Sequence, residues 1–193
     1  MSLSLSALSA LFSIIASFIY IQGILAGKTK PVKASSIIGK LFTITTFIGM
    51  WQKDTVNGQI SMSLLSVFIT TPLTLYYGKP GWSKIDVLCF TVGICGLFLW
   101  VYIPDPTVGI GVGLLVLFMG SIPTWFSAWE DPRRENKYSL LVGMCASLSA
   151  LFAAPHISIA YSAQPLTFLA MQCIMGYLLW IRPFYLECKQ SPP

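Results

Sequence analysis

Seven apolar runs recur along the whole chain with only short polar connectors between them, at 5–26, 35–51, 60–77, 85–103, 108–128, 138–155 and 165–181. Crossing roughly 30 Å of hydrocarbon takes about 20 predominantly apolar residues in a helix. Backbone N–H and C=O groups find no partner in lipid except one another, so helices are the only form open to runs of this kind. The sequence therefore predicts an all-α integral membrane protein with seven transmembrane helices. The second and sixth runs are short, and both are rich in Ser, Thr and Gly.

Composition agrees with this reading. Charged residues make up 10% of the chain and mean hydropathy is +0.73, whereas a soluble domain carries about a quarter charged residues. No polar stretch is long enough to bury a core of its own. The net charge of +5 sits in connectors between runs, where topology accounts for it, so nucleic acid is not an expected partner. The five cysteines include no CxxC pair and suggest no metal or redox centre, and no cofactor is expected. The N-terminal run lacks a basic leader and reads as the first span.

Sorting Lys and Arg by connector places eleven on one side of the membrane and only Lys53 on the other. That asymmetry predicts the N-terminus outside and the C-terminus in the cytoplasm. Trp51, Trp82, Trp100, Trp129 and Trp180 fall near run ends, as interfacial anchors do.

The densest charge cluster, Glu130, Asp131, Arg133, Arg134, Glu135 and Lys137, joins the fifth run to the sixth. A second connector, at 27–36, holds the matching place about a hundred residues earlier. Each half then reads as a long span, a charged connector containing a Pro, a short Ser/Thr-rich span and a third span. The run at 85–103 has no counterpart. Three spans leave the chain on the opposite side from where it began, so two such units in the same orientation need one helix between them. The expected organisation is a first unit at 1–83, a linker helix at 84–104 and a second unit at 105–193.

On this span order, and on Pro123-Thr124 and Ile21-Gln22, each half of a Pro-Gln pair near the end of a unit's first helix, the chain resembles the SWEET, SemiSWEET and PQ-loop superfamily, in an uncharacterised seven-span bacterial-type branch. The resemblance implies two parallel three-helix units around a linker helix (3+1+3), a central cavity between them and alternating access, with Pro123 as hinge. The sugar-carrying members place Asn and Trp deep in the second and third helices of each unit. Here Asn57 and Asn136 lie at run edges, so a sugar substrate is not implied.

Polar side chains inside spans are costly and become functional candidates. Those expected to line a central cavity are Gln22, Thr43 and Thr46 in the first unit, with Ser121, Thr124, Ser147 and Gln172 in the second; helix–helix hydrogen bonding is the alternative role for each. Lys40 can reach the cytoplasmic face by extending its stem. Pro123 should bend the fifth span. Trp125, Glu130 and Arg133 are candidates for a cytoplasmic gate, against a membrane-belt role for the Trp and a topogenic role for the charges. No acidic residue falls mid-span, and no Ser-Lys or Ser-His dyad, zinc-protease motif or phosphate loop appears, so the chain is not expected to be an enzyme.

Two functions remain open: a carrier or facilitator of a small neutral or weakly polar solute, and a non-transporting membrane subunit that binds a lipid, a pigment or a partner protein. The lipid bilayer is the expected partner in both, and a homo-oligomer or a larger membrane complex is compatible with either.

Overall fold

A computed structural model describes residues 3–29, 31, 33–78, 81, 84–132 and 135–183, without the side chains of Ser35 and Ser127. All regular structure among these residues is helical. The order is α1 (Leu3–Leu25), α2 (Lys33–Gln52), α3 (Gly58–Tyr77), α4 (Lys84–Tyr102), α5 (Pro106–Gly120), α6 (Ile122–Glu130), α7 (Lys137–Phe152) and α8 (Ile159–Gly176), the last continuing into a π-helical turn at Tyr177–Ile181.

Five stretches are long and apolar enough to cross a membrane: α1, α3, α4, the α5–α6 pair and α8 with its π turn. Large side chains such as Phe68, Phe98, Val101 and Phe126 are exposed on them, as lipid-facing residues are. The chain is a helical membrane protein. The remaining two helices, α2 and α7, are the Ser/Thr-rich pair, and their hydroxyls lower their hydropathy rather than their helicity. Thr43, Thr45 and Thr46 donate to the carbonyls of Gly39, Leu41 and Phe42, one turn back, at 2.9, 3.2 and 2.9 Å. The hydroxyls are thereby satisfied without a partner from another helix.

Short polar residues start the helices. Asn57, Asp105, Asn136 and Ser158 cap α3, α5, α7 and α8 by accepting from backbone N–H groups of the first turn. The cap on α8 corrects one boundary: the helix begins six residues before Pro165, which is buried in its interior instead of opening it. Asp86 is buried in the first turn of α4.

Each helix has a defined set of neighbours. α3 packs on α1 and on α2; α8 packs on α7 and on α5; α2 packs on α5, and α1 on α7; α4 packs on α5 and α2. Glycines allow the closest approaches. A Cβ on Gly113 of α5 would lie 2.1 Å from Thr46 Oγ1, and one on Gly49 of α2 would lie 2.9 Å from the Pro106 carbonyl oxygen. Backbones that meet this closely are how helices associate where lipid gives no hydrophobic drive.

Lys28 and Thr29 after α1 lie beside Glu135 and Asn136 before α7, at one end of the bundle, hereafter the charged end. At the far end Lys53 pairs with Asp105 at 3.2 Å, joining the end of α2 to the start of α5. Hydrogen bonds from the Thr107 N–H, then the Lys53 contact, hold the Asp105 carboxyl below its ordinary range. The pair is solvent-exposed, and such pairs contribute little.

A central cavity with an amide-sealed far end

The fifth apolar run breaks where the Pro suggested. Pro123 has no N–H to continue the α5 ladder, and α5 stops at Gly120; α6 restarts at Ile122, with Pro123 in its first turn, a position where the missing donor costs nothing. Ser121 bridges the interruption. Its Oγ donates to the Leu117 carbonyl at 2.9 Å and its own carbonyl accepts from Trp125 at 3.0 Å. The Trp125 ring meets Phe118 edge to face, with centroids 5.2 Å apart.

Beside this break lies a cavity of about 350 Å³ between α1, α3, α6, α7 and α8. Its polar wall comes from Ser17 and Tyr20 of α1, Ser66 of α3, Ser121 and Thr124 at the break, and Gln172 of α8, with Glu135, Asn136 and Ser139 toward the charged end. Trp125, Phe168 and Met171 supply apolar surface. A second space of about 620 Å³ shares Glu135 and Asn136 with the first and is lined by Lys28, Lys137, Tyr138 and Trp180, so the two meet at Glu135 toward the charged connectors.

The far side is closed by a chain of buried side-chain hydrogen bonds. Asn57 Nδ2 donates to Gln164 Oε1 at 2.8 Å, Gln164 Nε2 donates to Gln59 Oε1 at 3.1 Å, and Gln59 Nε2 donates to Ser147 Oγ at 2.7 Å. Ser147 Oγ in turn lies 2.9 Å from Gln172 Oε1, which it meets as donor. Asn57, Gln59, Ser147 and Gln164 are all buried. Each amide spends its groups on its neighbours, so the network is self-satisfied until it reaches Gln172 at the cavity wall. The series ties the start of α3 to α7 and α8.

Of the residues singled out from sequence, Ser121, Thr124, Trp125 and Gln172 line the cavity together. Ser147 stands behind Gln172 as its hydrogen-bond partner. Gln22 does not line it: that residue is exposed on α1, because the inward face of this part of the helix is taken by Tyr20, Gly23 and Ile24. Thr43 and Thr46 are not part of the wall either. They are buried in α2, back-bonded, with Thr46 against Gly113. Glu130 is exposed at the end of α6, and Arg133 lies outside the described residues. Lys40 donates to Thr74 Oγ1 at 2.8 Å, tying α2 to α3.

Gln59 and Gln164 are the residues that sequence reasoning missed. Both stand one residue before an apolar run, those at 60–77 and 165–181. The signal that finds them is capping: Asn57 and Ser158 are cap residues, and each places a glutamine inside the helix that follows.

Glu135 differs from the rest of the charge cluster. It is half-buried at the neck between the two spaces, and burial pushes its carboxyl up from 4.5 to about 7. The folded chain thus holds this proton more tightly than the unfolded chain. Its contribution to stability is present in full below about pH 4.5 and is lost as the pH rises through about 7. Glu135→Gln should remove that dependence: its melting temperature is expected to match the wild type near pH 5 and exceed it at pH 8. A wild-type melting curve that is flat between those values contradicts the assignment.

Comparison with family models, curated proteins and solved structures finds no match for this chain.

Proposed function

We propose that the chain is a membrane carrier for a small polar solute, working by alternating access within a SWEET-like arrangement of seven spans (3+1+3), with the N-terminus outside and the C-terminus cytoplasmic. The observation that carries this reading is the central cavity, largely apolar with several polar side chains set in its wall, which continues toward the charged end and is sealed at the far end by the amide chain. A cavity accessible from one side and latched on the other is what one state of a carrier requires.

Helix neighbours support the repeat. The packing of α3 on α1 and α2 is matched by that of α8 on the α5–α6 pair and α7, and α2 on α5 is matched by α7 on α1. The helix left over is α4. Gln59 and Gln164, 105 residues apart and bonded to each other, would be equivalent residues meeting across the axis that relates the units. Their spacing is close to the 104 residues between Ser35 and Ser139 in the two connectors. With the cavity toward the cytoplasm, this is the inward-open state. Opening to the other side would part the glutamines, and the break at Ser121 and Pro123 is the place for α6 to swing against α5.

Mass spectrometry and an absorption spectrum of the protein purified gently from its native membrane test the reading. A retained small polar molecule is the expected result. A retained pigment, lipid or stoichiometric protein would assign the fold to a ligand-holding subunit and end the carrier reading.

A further inference from the structure

Glu135 sets a carboxyl group into the wall of the central cavity. We propose that the central cavity is a binding site for a small organic cation, an ammonium group whose charge is met by the Glu135 carboxylate. The inference deepens the carrier reading and rests on it for the cavity's role in transport, though the binding site itself can be tested separately.

Glu135 lines both spaces and stands where they meet. Among the described residues it has no ion-pair partner; the ion pair found there joins Lys53 to Asp105 at the far end. The groups around it can be named element by element. Tyr20 faces it from α1, close enough for the two to interact electrostatically. Lys28 follows α1, and Lys137 and Tyr138 open α7; these line only the outer space with it and stand beyond ion-pair distance. Arg182, after the π turn, is engaged elsewhere: it donates to the Trp129 carbonyl and lies 3.8 Å over the Trp129 ring. Glu130 and Asp131 precede Glu135 in the chain, and Arg133 and Arg134 of the same connector lie outside the described residues.

The inner space holds no basic side chain among the described residues that line it. An anion there would be repelled by the Glu135 carboxylate, and a neutral solute would gain nothing from its charge. An ammonium group supplies the missing charge. Tyr20, Trp125 and Phe168 add aromatic surface of the kind that receives organic cations. Gln172, already accepting from Ser147 through its Oε1, has its Nε2 left to donate to a polar group elsewhere on the ligand. The raised proton affinity of Glu135 makes such binding pH-dependent, because the protonated carboxyl offers no charge.

The test is calorimetric titration of the full chain in lipid nanodiscs with tetramethylammonium, whose charge does not change with pH, and with tert-butanol as a neutral counterpart of similar shape. Tetramethylammonium is expected to bind at pH 8, roughly thirty-fold more weakly at pH 5.5, where only a few per cent of a carboxyl titrating near 7 is ionised. Glu135→Gln is expected to weaken it at least about ten-fold at pH 8 while melting as a folded protein, and Glu135→Asp to retain most of it. Tert-butanol should show neither dependence. Equal binding by wild type and Glu135→Gln, or no binding to wild type at pH 8, overturns the proposal. Proteoliposome uptake separates the two levels. Binding without uptake of radiolabelled tetramethylammonium keeps the site and counts against the carrier. Uptake of a neutral solute together with cation uptake unaffected by Glu135→Gln keeps the carrier and overturns the cation site.

Discussion

Replacing Gln164 with leucine is expected to lower stability by about 3 kcal/mol and to make the far end of the cavity leak. Gln164 is fully buried, and its two bonds connect Asn57 to Gln59. Leucine nearly fills the same volume, so the loss comes from what it strands: an Asn57 N–H and the Gln59 carbonyl oxygen, both without water. Leaving one buried polar group unpaired costs about 1–3 kcal/mol, and here two are left. Removing both glutamines should therefore cost less than the sum of the single losses, which a double-mutant cycle with Gln59→Leu would measure. If the chain of amides is the outer gate, liposomes carrying Gln164→Leu should pass small polar solutes that wild-type liposomes hold back. A variant within about 0.5 kcal/mol of wild type would show that the amides are not coupled as described.

Gly58→Ala is expected to be as damaging, for a different reason. A methyl group there would stand 2.1 Å from the Ser6 carbonyl oxygen and 3.0 Å from the Ala10 Cβ. The obstacle is backbone, which cannot rotate away, so α3 would have to move off α1. The same movement would break the bond from the Gly58 N–H to Ser6 Oγ, 3.1 Å long, and disturb the neighbouring Asn57 and Gln59. A loss of about 2–4 kcal/mol is expected, within the range of overpacked cores and lost close helix contacts. Gly111→Ala is the control. Nothing lies within 4 Å of its added Cβ, and the gain in helix propensity should make it neutral or stabilising by up to about 1 kcal/mol. Chemical or thermal denaturation of the two variants side by side decides the point, and equal stabilities would contradict the packing.

The helical membrane architecture was legible because it depends on run length and hydropathy, which are local. The break at Ser121 was legible for the same kind of reason, since Pro123 removes a donor wherever it is placed. Gln22 and Gln172 show where local reasoning stops. Both are amides in apolar runs, yet one is exposed on α1 and the other lines the cavity, because which face of a helix turns inward is decided by its neighbours. Thr43 and Thr46 were read as cavity polarity, but a threonine in a helix can satisfy its hydroxyl on the carbonyl one turn back, and these do. In the sequence Glu135 is one of six charges in a single connector. Only the packing of that connector against α1 and α7 sets it apart from its exposed neighbour Glu130.

The measurement that tests the account most directly is thiol labelling of Thr124→Cys from each face of the membrane, in a chain whose own cysteines have been replaced. Thr124 lines the cavity at the helix break, so its accessibility reports which side the cavity faces. A membrane-impermeant reagent should reach it rapidly from the face bearing the 27–32 and 131–136 connectors and slowly from the other. Adding Gln164→Leu should raise the second rate by about ten-fold or more, as expected when a latch worth 1.4 kcal/mol or more per decade is removed. Labelling from neither face, or a second rate untouched by the loss of Gln164, would mean a static pocket and would contradict alternating access.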